Sequence, residues 1–120
     1  MHALAHSLGA LYDAHHGMLN AILMPYVLKA NQSVIEHRIE RLARYLDLSQ
    51  PSFDGFLSWV LQLRNEVGIP HSLNALDIDD NQAQKVGEMS VADAAAGGNP
   101  VAFSAEQYRD LFTRAVSGSL

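Results

Sequence analysis

Residues 17–31 read GMLNAILMPYVLKAN, and they constrain the fold more than any other stretch of the chain. Apolar residues here are too continuous for a surface helix with one dry stripe, so this segment has to be largely buried. Other elements must therefore cover it on several sides. Pro25 sits in the middle of the run and is expected to kink the helix or divide it, because proline removes one backbone donor and clashes with the preceding turn. The uninterrupted apolar part, Ala21 to Leu28, is far too short to span a bilayer.

The covering elements also read as helices. Residues 1–11 are apolar and alanine-rich, a short helix by pattern. Ser33 and Glu36 make the S-x-x-E of a capping box, followed by Ile35, Ile39, Leu42 and Leu46 at helical spacing. Pro51 opens a further segment that places Phe53, Phe56, Leu57, Val60 and Leu61 on one face, with Gly68 and Pro70 as its stop. Another helix is expected from about Asp80 to Ala96, its acidic start favoured by the helix dipole. GGNP at 97–100 ends it. Ser104 and Gln107 then cap a last helix whose inward face is Tyr108, Leu111, Phe112 and Ala115. No run alternates with period two for long enough to be a strand. The expected fold class is all-α: a helical bundle forming one domain over residues 1–120, with one core.

Length and charge narrow the function classes. A chain of 120 residues is long enough to bury a core, and 48% hydrophobic content fits a globular protein. The formal charge of −5 argues against a nucleic-acid partner, which calls for a basic stripe. Arg38, Arg41 and Arg44 do cluster, but Glu36 and Glu40 are interleaved with them, and Glu40 and Arg44 have the spacing of a solvated helix face. With no cysteine, disulfides and thiolate metal sites are excluded, which suits a cytoplasmic location. No segment reads as a signal peptide or a membrane span, so no membrane partner is expected.

Chemistry concentrates at the start of the chain, where four of the six histidines occur: His2, His6, His15 and His16. His2 and His6 are four apart and project from one helix face. Two such imidazoles can approach one ion, although Ala3 replaces the glutamate of the H-E-x-x-H pattern. His16, just before Gly17, comes from a second element and can return toward the first. Imidazoles without thiolates suit divalent zinc or iron. The spacing is equally compatible with histidines that decorate a surface or core. His37 reads as a polar-face residue and His71 as a loop cap, while Trp59, Phe53 and Phe56 read as a core stripe.

The pattern His2, His6, Gly9-Ala10, His16-Gly17, Asn20-Ala21-Ile22-Leu23 and Pro25 resembles the signature of the iron-dependent (group III) alcohol dehydrogenases. GIPHSL at 68–73 and ADAAAGGNP at 92–100 are similar to later parts of that family. The resemblance covers essentially the whole chain. It implies that His2 and His16 bind the catalytic metal, Fe2+ or Zn2+, and that His6 lies near nicotinamide and substrate in a positioning or proton-relay role. It further implies hydride transfer between an alcohol or aldehyde and NAD(P).

Three departures stand out: His15 where proline is usual, Ser7 where proline is frequent, and Val101 where arginine is common. His15 could compete for the metal or point to solvent, and solvent is expected. The family's α/β nucleotide-binding domain has no counterpart here, nor do the Asp and His ligands that its upstream helices add. The chain is therefore read as a truncated C-terminal metal-binding domain, inactive by itself, with its partner either the remainder of the enzyme or a second copy. Starting at the first turn of a helix should leave His2 poorly preorganised. Ala3, Leu4, Leu8 and the 18–28 run are expected to lie uncovered and to promote self-association. The alternative function is thus a non-catalytic helical protein acting through self-association. A maleylacetate-reductase-like relative is disfavoured, because such relatives tend to lose the metal ligands retained here.

Overall fold

Every regular element is helical in the computed structural model, which describes residues 1–120. The order is α1 His2–Tyr12, α2 His16–Tyr45, α3 Phe53–Glu66, a 3-10 turn at Leu73–Leu76, α4 Ala83–Ala92, a second 3-10 turn at Ala94–Gly98, and α5 Ala105–Ser117. The all-α expectation is met. No helix is long and apolar enough to cross a membrane.

The main core is built from α1, the first half of α2, α4 and α5. Leu4, Leu8, Leu19, Ile22, Leu23, Val86 and Phe112 are wholly buried there. Burying each such side chain contributes about 1.5–3 kcal/mol. Helix α5 ends the chain as its pattern predicts: Tyr108, Leu111, Phe112 and Ala115 face inward. Its start is the predicted capping box, with the Gln107 amide donating to Ser104 Oγ at 3.2 Å and the Ser104 amide to Gln107 Oε1 at 2.9 Å. Gly87 lets α4 approach α5 closely; a Cβ there would run into the Ala105 carbonyl oxygen.

The expected boundary at Ser33 is overturned. Helix α2 continues through both Pro25 and the Asn31-Gln32-Ser33 stretch as one 30-residue element. Pro25 is fully buried, and the helix continues across the backbone donor that proline lacks. Asn31 does not break the helix because its side chain is spent elsewhere. Its Nδ2 donates to the Val27 carbonyl at 2.9 Å and to Asn99 Oδ1 at 3.1 Å, while its Oδ1 accepts from Asn99 Nδ2 at 2.9 Å. Beyond it, Leu42 and Leu46 are exposed and Ala43 is buried, so the inward stripe is shifted from the expected one.

A second, smaller cluster joins the end of α2 to α3 through Ala43, Phe56 and Val60. Helix α3 starts at the Ser52 cap, whose Oγ accepts from the Gly55 amide at 3.0 Å, and stops at Gly68 with φ +75°. Trp59 is not in the core as expected but 38% exposed, since it falls outside the Phe53, Phe56, Leu57 and Val60 face.

Two more expectations fail. The 80–96 helix is shorter, and no acidic residue occupies its first turn. Asp79 lies ahead of it in a turn, accepting from the Asn81 amide at 3.1 Å. Ala3, Leu4, Leu8 and most of the 18–28 run are buried within the chain itself, with Met24 the exposed exception, because α4 and α5 cover them.

Candidate metal centre

The turn between α1 and α2 decides where the histidines meet. Asp13 closes α1 in the left-handed region, φ 50°, with its amide on the Gly9 carbonyl at 3.1 Å. His15 then caps α2: its Nδ1 accepts from the Met18 amide at 3.3 Å. The imidazole expected to point idly to solvent is exposed but has this structural task, which also takes one of its nitrogens from any ion. His16 follows as the first residue of α2 and turns back onto α1.

His2, His6 and His16 converge. Their ring centroids lie 6.2 Å (His2–His6), 5.5 Å (His2–His16) and 5.2 Å (His6–His16) apart. One ring nitrogen from each falls within 4.8 Å of the other two, and all three residues are exposed. A tetrahedral zinc site with Zn–N bonds near 2.0–2.1 Å spaces its ligand nitrogens about 3.3 Å apart. The cluster therefore fits a divalent ion in donor type and proximity, and it would tighten on binding. Three nitrogen donors reaching solvent leave room for further ligands.

Two side chains that carried no assigned role from the sequence touch this cluster. Asn20, one turn along α2, places Nδ2 2.8 Å from His16 Nε2 and 3.1 Å from the His16 carbonyl. Asp93, at the start of the second 3-10 turn, places Oδ2 3.1 Å from His6 Nδ1, and its Oδ1 accepts from the Ala95 amide at 2.8 Å. The Ala95 amide, followed by the His6 contact, holds the Asp93 carboxyl below the usual carboxylate range. Asn20 stands in the quoted motif, but nothing local in ADAAAGGNP announces a contact with His6, 87 residues earlier.

The other histidines stay apart from the centre. His37 lies on the exposed side of α2 as expected. His71 caps the end of α5, its Nε2 donating to the Gly118 carbonyl at 3.0 Å. The Glu40–Arg44 pair forms at 3.7 Å on the solvated face.

Against this geometry, the model of the "Fe-containing alcohol dehydrogenase family, C-terminal" matches residues 1–116. The chain belongs to that family. Among its relatives are the NADPH-dependent butanol dehydrogenase of Clostridium saccharobutylicum, 28% identical over 92% of this chain, and alcohol dehydrogenase 4 of Saccharomyces cerevisiae, 31% identical over 96%. Lactaldehyde reductase of Escherichia coli K12 is 27% identical over 93%. A solved 1,3-propanediol oxidoreductase superposes with a TM-score of 0.87 at 28% identity, covering 95% of this chain and 31% of that one. The chain spans about 31% of the length of each of these relatives.

Proposed function

We propose that these 120 residues are the C-terminal helical domain of a metal-dependent, NAD(P)-linked alcohol dehydrogenase, and that they turn over no alcohol unaided. The observation that carries the reading is the convergence of His2, His6 and His16 from two helices onto one solvent-facing point. In this reading His2 and His16 donate ring nitrogens to Fe2+ or Zn2+, and His6 faces the alcohol as a positioning or proton-relay group. When bound, such an ion polarises the alcohol oxygen and a nicotinamide takes the hydride. The chain's own contribution is to hold two ligands at fixed separation and to keep His6 beside the hydroxyl whose proton has to leave. The remaining ligands and the nucleotide site belong, on this reading, to the other two-thirds of a family enzyme, acting in the cytoplasm.

Calorimetric titration with zinc, and with ferrous iron under anaerobic conditions, tests the metal assignment. Binding should be present in the wild type and lost in both His2→Ala and His16→Ala. Binding indifferent to both substitutions would remove the basis of the reading. NAD(P) reduction by simple alcohols with this polypeptide alone would disprove the claim that it is inactive unaided.

A second reading, a non-catalytic protein that self-associates, no longer rests on Ala3, Leu4 and Leu8, which are buried. Its remaining support is the exposure of Tyr45, Trp59, Leu63 and Val67 on the far part of α2 and α3. A mass in solution equal to one chain at high concentration would eliminate it.

A further inference from the structure

We propose that Asp93 is the positioning residue of the histidine cluster: its carboxylate fixes the tautomer of His6 and so determines which ring nitrogen faces His2 and His16. The role assigned to the exposed nitrogen rests on the metal-dependent reading above. The tautomer itself does not.

Donors and acceptors around His6 decide where its proton sits. An ionised carboxylate only accepts. Asp93 Oδ1 takes the Ala95 amide hydrogen at 2.8 Å, which leaves Oδ2 for His6 Nδ1 at 3.1 Å. In the neutral imidazole the proton must then sit on Nδ1, and Nε2 carries a free lone pair. Unconstrained imidazole side chains favour the opposite form, with the proton on Nε2. A group meant to accept a proton, or to donate electrons to an ion, needs that lone pair on the side away from the carboxylate. Partner carboxylates orient histidines in metal sites in this way.

The carboxylate is itself held in place. The 3-10 turn that Asp93 begins is anchored at its far end by Asn99, which exchanges two hydrogen bonds with buried Asn31 at 3.1 and 2.9 Å and donates to the Val101 carbonyl at 2.8 Å. One end of the turn is thus tied to α2 and the other to α1. His16 is held differently: Asn20 Nδ2 donates to its carbonyl at 3.1 Å and lies 2.8 Å from Nε2, a contact that an ion bound at Nε2 would displace. The two rings are constrained from different elements through different nitrogens, so the cluster is orientated as well as assembled.

The decisive substitution is Asp93→Asn. The Ala95 amide demands an oxygen, so the new side chain keeps Oδ1 on the turn and presents Nδ2 to His6. A donor there requires His6 Nδ1 to accept, which moves the proton to Nε2. Long-range proton–nitrogen correlation spectra of the 15N-labelled, chelator-treated chain at alkaline pH report the tautomer directly. The wild type should show His6 predominantly protonated on Nδ1, and Asp93→Asn should invert that preference. Asp93→Ser, which retains a cap for the turn but is too short to reach His6, should relax it to the ordinary Nε2–H form. A wild-type His6 protonated on Nε2, or a tautomer unchanged in both variants, would overturn the proposal.

Zinc titration of the same samples separates the two ideas. If the wild type binds no zinc yet its His6 inverts in Asp93→Asn, the metal reading fails and the role of Asp93 is upheld. If zinc binds but the tautomer ignores Asp93, the metal reading survives and this inference is lost.

Discussion

Helix α2 passes through two different surroundings. Between Leu19 and Val27 its inward side chains are no more than 8% exposed, enclosed by α1, α4 and α5. Beyond Ser33 it has α3 as its main neighbour, and Val34, Leu42 and Tyr45 stand 45%, 39% and 86% exposed. The first region is a body with an 18-residue core that carries the histidines; the second is an arm whose own apolar cluster has three buried members, Ala43, Phe56 and Val60. The same helix is thus supported by burial in one half and by local propensity plus one partner in the other. Burial is concentrated beneath the helices that carry the candidate chemistry.

The joint between them is polar. Buried Arg64, near the end of α3, donates through Nη2 to the Pro70 carbonyl at 2.7 Å and to the His71 carbonyl at 3.3 Å. Tyr26 of α2 donates to the same His71 carbonyl at 2.7 Å. Burial lowers the Arg64 pKa and raises that of Tyr26. Arg64 Nε and Nη1 are buried without a hydrogen-bond partner, so the two carbonyl contacts offset only part of the cost of taking this cation out of water.

The largest expected effect is in the body. Phe112→Ala should cost about 3–5 kcal/mol, because the surrounding core can collapse only partly into the space. Val60→Ala in the arm should cost about 1–2 kcal/mol from lost apolar burial. Urea denaturation of both variants checks the contrast, and equal losses would erase the distinction between body and arm. Next comes the joint: Arg64→Ala should cost about 1.5–3 kcal/mol by removing a charged donor from two carbonyls. Amide exchange should then accelerate in α3 while α1 and α5 keep their protection. Uniform acceleration would mean that the arm and body open together.

Smaller effects refine the comparison within the body. Asn31→Ala should cost about 1–3 kcal/mol, leaving Asn99 and the Val101 amide without their partner. Spectral changes should extend to His6 through the 94–98 turn and leave α3 untouched. The smallest effect is with acid. Asp93 is held below the usual range first by the Ala95 amide, and Glu106 first by its own backbone amide and then by Ser104. Both bind fewer protons folded than unfolded. Their contribution is therefore present above the ordinary carboxylate range, near pH 4, and fades as pH falls through the depressed values. Amide exchange across acid pH should show the 94–98 turn and the start of α5 loosening, with wild type compared against Asp93→Asn and Glu106→Gln.

Legibility in the sequence followed the reach of each interaction. Elements set by neighbours in the chain were readable: the Ser104–Gln107 box, the α3 stripe from Phe53 to Val60, Gly68 as a stop, and the apolar face of α5. Misreadings arose where a local signal was outweighed by a distant partner. Ser33 and Glu36 resemble a helix start, but Asn99 occupies the Asn31 side chain and the helix runs on. Nothing local marks Arg64 as buried; its partners are the 70–71 carbonyls, beyond the end of its helix. His15 gave no local sign that it would be spent as a cap.

What the sequence determined by itself is the helical class, the family and the set of imidazoles, because helical periodicity and the histidine–glycine–asparagine motif are contained within single segments. What only the tertiary structure decided is that His2, His6 and His16 share one point, that Asp93 meets His6 from 87 residues away, and that α2 divides into an enclosed half and an exposed half. Those facts depend on which helix covers which. Burial is a property of pairs of elements, and a chain read residue by residue shows the faces but not their partners.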